Sequence, residues 1–95
     1  MERFYVYTLL SLRDGEFYTG FTMNLKERLR SHALGEVKST KHRRPLRLIR
    51  YEYFANREDA EARERFLKSG FGRKQLKQAL KRTLELVREI PLAQT

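Results

Sequence analysis

The sequence predicts an α+β fold, in which helices flank a three-stranded, mainly antiparallel sheet in the order β-β-α-β-α-α. Three observations support this prediction. Residues 3–12 form an aromatic and aliphatic run that ends at Asp14-Gly15, a dipeptide typical of hairpin turns. Residues 46–54 form another strand-like run, which lies between two amphipathic segments that each follow an asparagine. A leucine-rich helical segment then closes the chain, so the 95 residues are expected to form a single domain, 1–95.

A hairpin is predicted at the start of the chain. Both faces of the first strand are apolar enough to be buried, and residues 16–21 return as the second, antiparallel strand. One face of the first strand carries Tyr5, Tyr7 and Leu9, and the other carries Phe4, Val6 and Thr8.

The first helix is predicted from its capping residues. Asn24 opens it, and Glu27 stands at the third helical position, where it can reach back toward the cap. Gly35 is expected to end it. The predicted buried stripe recurs every four residues and consists of Leu25, Leu29 and Ala33.

The third strand and two further helices follow a basic loop. Alternation in the strand from Leu46 to Phe54 sets Leu46, Leu48 and Arg50 against Arg47, Ile49 and Tyr51. Asn56 caps the second helix, with Asp59 at its third position, and Gly70 and Gly72 are expected to break it after Lys68. The third helix is predicted from Arg73 to Glu89, with Pro91 after it and a stripe of Leu76, Leu80, Leu84 and Val87.

Charge indicates the class of partner. Lysine and arginine number 21 against 12 acids, a net charge of +9 that favours polyanions, although solubility or attraction to acidic membranes would also explain it. The chain has no cysteine, which excludes disulfides and Cys-ligated zinc and fits a reducing, cytoplasmic setting. No apolar run approaches the roughly 18 residues that span a bilayer, so no membrane association is expected.

Two tyrosines and a glycine form the first candidate site residues. Tyr7 and Tyr18 lie on either side of the hairpin turn, where pairing would bring them together on one face of the sheet. Gly20 follows, and its missing side chain would allow a backbone or a phosphate to approach closely. A sheet with core tyrosines and a glycine bulge is the simpler interpretation.

Two helices add candidates with charged or titratable groups. Arg28 and His32 stand four residues apart on one helix face, but a solvated arginine and a helix-end histidine at the dipole would also explain them, and for His32 alone that is the simpler interpretation. Glu64 flanks the apolar stripe of the second helix, so it needs a partner, either a metal or a neighbouring Arg63, Lys68 or Arg57.

Basic segments surround these candidates. Residues 37–51 hold six lysines and arginines and no acid, and residues 63–82 hold eight around the single acid Glu64. We expect a polyanion to contact Gly20, Lys38, Lys41, Arg43, Arg44 and Lys68.

The stretches YVYTL, FYTGFT and LKERLRSH, followed by NREDAEARERFLK, resemble the GIY-YIG nuclease superfamily, in particular its small stand-alone bacterial members, over roughly residues 3–80. The resemblance implies a three-stranded sheet with flanking helices and hydrolysis of phosphodiester bonds in DNA or structured nucleic acid with one divalent metal, Mg²⁺ or Mn²⁺. It also implies catalytic roles for Tyr7, Tyr18, Arg28 and His32 and a metal-ligand role for Glu64. Tyr5 stands where the first motif has glycine.

The mechanism implied by the resemblance assigns a part to each residue. Arg28 would donate to the phosphoryl oxygens, Tyr7 or His32 would take the proton of the attacking water, and Tyr18 would orient the phosphate or the water. Tyr7 would need cations such as Arg28 to lower its pKa. Two alternatives remain: a nucleic-acid-binding module with an idle site, and an adaptor that docks a protein through the third helix.

Overall fold

The structure, a computed structural model, describes residues 2–88. Within this range the chain forms β1 (Phe4–Ser11), β2 (Phe17–Thr22), α1 (Leu25–Ala33), a short 3-10 helix (Lys41–Arg43), β3 (Leu46–Phe54), α2 (Arg57–Lys68), α3 (Gly70–Ala79) and α4 (Lys81–Arg88). The three strands form one sheet in the order β2-β1-β3, and both pairings are antiparallel. The predicted α+β fold is therefore confirmed.

The central strand β1 divides the sheet into two differently covered faces. On the α2 face, Phe4, Val6 and Leu10 pack in the main apolar cluster with residues of α2, α3 and α4. On the α1 face, Tyr7 and Leu9 lie beneath α1. β1 is buried on both faces, as its continuous apolar sequence predicted.

The asparagine caps and the glycine at the end of α1 are confirmed, but Glu27 does not reach back to the cap, because the Asn24 amide donates to Oγ1 of Thr22 at 3.1 Å. The Asn24 side chain accepts a hydrogen bond from the Glu27 amide at 3.1 Å, and Asn56 accepts one from the Asp59 amide at 3.0 Å. Gly35 follows α1 with φ of 76°, a conformation that side chains disfavour.

The buried face of α1 differs from the prediction. Ala33 is exposed and Leu25 and Leu29 are only half-buried, whereas His32 is 1% exposed and is the buried residue of the helix. Arg28 and His32 approach Tyr7 of β1, while Leu29 lies beside Leu9 at the edge of this contact. Burial of the imidazole is tolerated because both of its nitrogens have hydrogen-bond partners.

A β-bulge changes which side chains of β3 lie on each face of the sheet. The register shifts between Thr8 and Leu9 of β1, so that Leu9 pairs with Leu48 while Tyr7 pairs with Tyr51. Leu48 and Tyr51 therefore share the α1 face, and the strict alternation predicted for residues 46–51 is wrong beyond this point.

The end of the described chain also departs from the prediction. The single helix predicted from Arg73 is instead two helices. The first, α3, already begins at Gly70, and the chain turns at Leu80 before α4 begins. Gly72 lies inside α3, where a Cβ would overlap with the Phe66 carbonyl, so the glycine permits tight packing against α2. The predicted stripe of Leu76, Leu80, Leu84 and Val87 is buried. Glu89 and Pro91 lie outside the described residues.

Across residues 2–88 none of the helices combines the length and the apolar character required to cross a membrane.

Candidate functional site

Tyr7 and Tyr18 meet on the α1 face of the sheet. Tyr7 pairs with Gly20, and Tyr18 pairs with Leu9, which places the two tyrosines diagonally on adjacent strands. Their ring centroids are 6.4 Å apart. Tyr7 is 1% exposed, whereas Tyr18 is half-buried. The predicted proximity of the two tyrosines on one face is confirmed.

Gly20 provides the space in which the Tyr7 ring lies. A Cβ built on Gly20 would overlap with Cζ and Oη of Tyr7. The ring of Tyr7 therefore crosses over β2, and only glycine allows this. The space that the sequence suggested for a backbone or a phosphate is filled by Tyr7 itself.

His32 joins Tyr7 to the basic loop through two short hydrogen bonds. Its Nε2 lies 2.7 Å from the Tyr7 hydroxyl, and its Nδ1 lies 2.7 Å from Oγ1 of Thr40, which is fully buried. The interpretation of His32 as a solvated helix-end residue is therefore wrong. Thr40 was missed in the sequence, where nothing distinguishes it from the neighbouring Ser39.

The protonation state of this network follows from its burial. Burial, aided by the charge of Arg28, lowers the pKa of His32 to about 4, so the imidazole is neutral at pH 7. Arg28 Nε donates to the Tyr7 oxygen at 3.4 Å. The network is fully paired when Tyr7 donates its hydroxyl proton to Nε2 of His32 and Nδ1–H donates to Thr40.

Tyr7 is a neutral hydroxyl in this environment. Burial raises the pKa of Tyr7, and this effect outweighs the hydrogen bond from Arg28, which lowers it. Arg28 lowers the pKa of Tyr7, as expected, but desolvation of the phenolate is the larger effect in the protein alone, so the pKa is raised overall. The hydrogen bond to Tyr7 raises the pKa of Arg28, which stays a cation.

Glu64 approaches the site from α2, in the opposite layer. α2 packs against β1 and β2, and the Glu64 carboxylate is near enough to contribute to the raised pKa of Tyr7. Its side chain is 22% exposed and forms an ion pair with Lys68 at 3.0 Å. Arg63 and Arg57, the other candidate partners, pair with Glu52 and Glu61. Glu64 therefore has one cation partner, one helical turn away.

Glu64 does not belong to a cluster of metal-binding side chains in the described residues. Residues 2–88 contain no group of three or more histidine, aspartate or glutamate side chains placed to hold a metal ion. A cation at Glu64 would therefore take its remaining ligands from water and from a bound substrate, which suits Mg²⁺ because it keeps several waters.

The predicted polyanion-binding residues of the loop fall into two groups. Arg43 is held by Asp14 at 2.8 Å and by the carbonyls of Glu16 and Phe17, and it lowers the pKa of Asp14 to about 2. Arg44 donates to the carbonyls of Lys41 and Ala33. Both arginines brace the fold through these contacts, but only Arg43 is half-buried, whereas Arg44, Lys38 and Lys41 are exposed.

Comparison with known proteins gives a consistent result. The family described as the GIY-YIG catalytic domain matches residues 3–78. A UPF0213 protein of Clostridium perfringens is 40% identical over 65 residues, which cover 67% of this chain and 69% of the relative. A UPF0213 protein of Staphylococcus haemolyticus is 38% identical over 76 residues, which cover 79% and 90%.

A solved structure shares the fold. The solution NMR structure of a UPF0213 protein from Bacillus halodurans is 35% identical, covers 81% of this chain and 84% of its own, and superposes with a TM-score of 0.53. The name UPF0213 states no activity.

Proposed function

The chain belongs to the GIY-YIG catalytic domain family, and on this premise we propose that it is a metal-dependent endonuclease that hydrolyses phosphodiester bonds in DNA or structured nucleic acid. The observation that carries the proposal is the meeting of Tyr7, Tyr18, Arg28 and His32 on one face of the sheet. The charge of Glu64 makes a small contribution to the raised pKa of Tyr7. The net charge of +9 supports a polyanionic substrate.

Arg28 and Tyr18 would bind the scissile phosphate. Arg28 keeps its positive charge beside Tyr7, and its remaining guanidinium donors are available to phosphoryl oxygens as negative charge builds on them. Tyr18 is half-buried and adjacent to Tyr7, so its hydroxyl would orient the phosphate or the water.

Tyr7 and His32 would act together on the proton of the attacking water. His32 lies behind Tyr7 with both nitrogens engaged, so a proton reaches it only through the Tyr7 hydroxyl. In this relay Tyr7 would accept the proton of water while it passes its own proton to Nε2 of His32, whose lowered pKa the negative charge of a bound phosphate would raise. Direct removal of the water proton by His32, the other sequence-based alternative, would require Nε2 to give up its hydrogen bond with Tyr7.

Glu64 would hold the metal, Mg²⁺ or Mn²⁺. A single half-buried carboxylate fits such an ion provided that the substrate phosphate and water complete the shell. The bound ion would neutralise charge on the scissile phosphate. Lys68 would have to release Glu64 first, and it would then be free to contact the nucleic acid.

A second candidate function is a nucleic-acid-binding module with an idle site. The pairing of Glu64 with Lys68 favours it, because the carboxylate is already neutralised by a side chain, and the described residues contain no cluster of three or more metal-binding side chains.

Cleavage assays separate the two candidates. Labelled single-stranded, duplex and branched DNA and RNA would be incubated with the protein in Mg²⁺, Mn²⁺ or EDTA. The proposal predicts cleavage with metal and none in EDTA. It also predicts that Arg28→Ala lowers the rate about 10²-fold or more while binding persists. Binding without cleavage of any substrate would support the idle module instead.

A further inference from the structure

Three tyrosines form an exposed stripe on the α1 face, at the β3 side of the sheet. Tyr53 pairs with Tyr5 across β1 and β3, and Tyr51 is the next residue of β3 on the same face. The ring of Tyr5 lies 5.8 Å from that of Tyr53 and 6.1 Å from that of Tyr51. We call Tyr5, Tyr51 and Tyr53 the tyrosine stripe.

The stripe is not part of the apolar core. Tyr51 is 54% exposed and Tyr53 is 47% exposed, and neither belongs to the buried cluster on the α2 face. The rings meet Tyr5 at interplanar angles of 60° and 56°, so they do not stack on one another. With about half of the surface of Tyr51 and Tyr53 exposed, ring surface remains accessible to a flat partner.

Cations flank the stripe at both ends. Beside Tyr5, an open depression of about 450 Å³ is lined by Arg3 and Lys26 among other residues. At the start of β3, beside Leu46, a second depression of about 480 Å³ is lined by Arg13, Lys41 and Arg44. No acidic residue lines either depression. The arrangement along the strand is thus basic, aromatic and basic.

The dimensions suit a short segment of a nucleic acid strand. Leu46 and Tyr53 are seven residues apart on β3, which at the usual rise of a strand is about 23 Å. Binding surfaces for single strands, in which bases stack on aromatic rings and phosphates lie beside cations, accommodate roughly four or more nucleotides. The bases of a duplex are stacked on one another and cannot use the rings in this way.

We propose that the tyrosine stripe and its two basic flanks form a binding site for single-stranded nucleic acid. Unpaired bases stack on the tyrosine rings, and the backbone phosphates contact the flanking lysines and arginines. The proposal deepens the proposed nuclease function, on which it rests for the class of polymer, by specifying that the substrate carries an unpaired segment.

The test measures binding in EDTA, so that it does not depend on cleavage. The probes are a fluorescein-labelled single strand of about twelve nucleotides, as DNA and as RNA, and the corresponding duplex. The double variant Tyr51→Ser/Tyr53→Ser should bind the single strand about tenfold or more weakly and the duplex with unchanged affinity. Tyr51→Phe/Tyr53→Phe keeps the rings and should bind like the unmodified protein.

A matched control is available on the other layer. Phe71 of α3 is 66% exposed and lies near Phe66 of α2, so Phe71→Ser removes an exposed ring that is remote from the stripe. It should leave single-strand affinity unchanged. The dependence of affinity on salt should be the same in all variants, because none of them changes a charge.

Single-strand affinity of the serine variant equal to that of the unmodified protein, with an unchanged melting temperature, would overturn the proposal. Cleavage of nucleic acid by the same preparations would show that the nuclease function stands regardless. Conversely, if single-strand binding depends on the tyrosine rings but no substrate is cleaved, the result supports the tyrosine stripe as a binding site and counts against the nuclease function.

Discussion

The hydroxyl oxygen of Tyr7 lies 2.7 Å from Nε2 of His32, across a separation of 25 residues that joins the central strand to α1. Both side chains are 1% exposed, so the contact is shielded from water. Thr40 holds the opposite nitrogen of His32 at 2.7 Å. The position of Tyr7 in the candidate site therefore depends on a buried chain of three side chains.

The loop residue Thr40 should influence activity through His32. Thr40→Val preserves the shape of the side chain and removes the partner of Nδ1, which costs about 1–3 kcal/mol for a buried polar group. We expect a lower melting temperature and a lower kcat with little change in KM. Thr40→Ser restores the hydroxyl and should recover most of both. Unchanged melting and kcat in the valine variant would show that the contact has no role.

Gly20 should tolerate no side chain, because Tyr7 occupies the space where a Cβ would lie. Gly20→Ala should shift the Tyr7 ring, weaken its hydrogen bond to His32 and lower both stability and any cleavage rate. Gly70→Ala is the control, since no atom lies within 4 Å of its Cβ position, and it should be neutral or slightly stabilising. Equal melting temperatures for the two variants would contradict the assignment.

Stability should fall with acid in two separate windows. His32 has a lowered pKa of about 4, so the folded state binds fewer protons than the unfolded state, and stability is lost as pH falls from 6.5 to 4. Asp14 also has a lowered pKa, about 2, and its contribution is lost between pH 3.8 and 2.

Melting temperatures across this pH range check both assignments. His32→Gln should flatten the upper window, and Asp14→Asn should flatten the lower one. If the loss of stability between pH 6.5 and 4 persists unchanged in His32→Gln, another group is responsible for it.

Variants of the basic loop should distinguish residues that bind polyanions from residues that stabilise the fold. Lys38→Glu/Lys41→Glu should weaken polyanion binding and reduce its dependence on salt while leaving the melting temperature nearly unchanged, because both side chains are exposed. Arg43→Glu should lower the melting temperature, because it breaks the contacts with Asp14 and two carbonyls. Affinity measured over a salt series, with a melt of each variant, distinguishes these effects.

Features that depend on neighbouring residues could be predicted from the sequence. Asn24 and Asn56 cap their helices through amides three residues away, and Gly35 follows α1 with positive φ. The strand pattern and the Asp14-Gly15 turn were sufficient to place Tyr7 and Tyr18 on one face. All of these signals are local or follow from strand periodicity.

Features that depend on distant contacts could not be predicted. Apolar periodicity favours burial of Ala33, but the position of Tyr7, 25 residues from His32, selects the histidine instead. Arg43 lies 29 residues from Asp14, so its bracing role cannot be distinguished from that of a solvated arginine in the sequence. The bulge between Thr8 and Leu9 arises from strand pairing and has no signal in β3 alone.

On the proposed function, Glu64 takes part in metal-dependent cleavage and is not only the partner of Lys68. Glu61 is a matched control, since it lies on the same helix and pairs with Arg57 four residues away, as Glu64 pairs with Lys68. The decisive measurement is Mg²⁺-dependent cleavage by Glu64→Gln and Glu61→Gln, with the melting temperature of each preparation.

We predict that Glu64→Gln abolishes cleavage while the melting temperature and nucleic-acid binding persist, and that Glu61→Gln cleaves normally, because only Glu64 supplies the charge that a divalent ion needs. Full cleavage activity in Glu64→Gln, with a lowered melting temperature, would contradict the account and leave Glu64 as an ion-pair partner of Lys68.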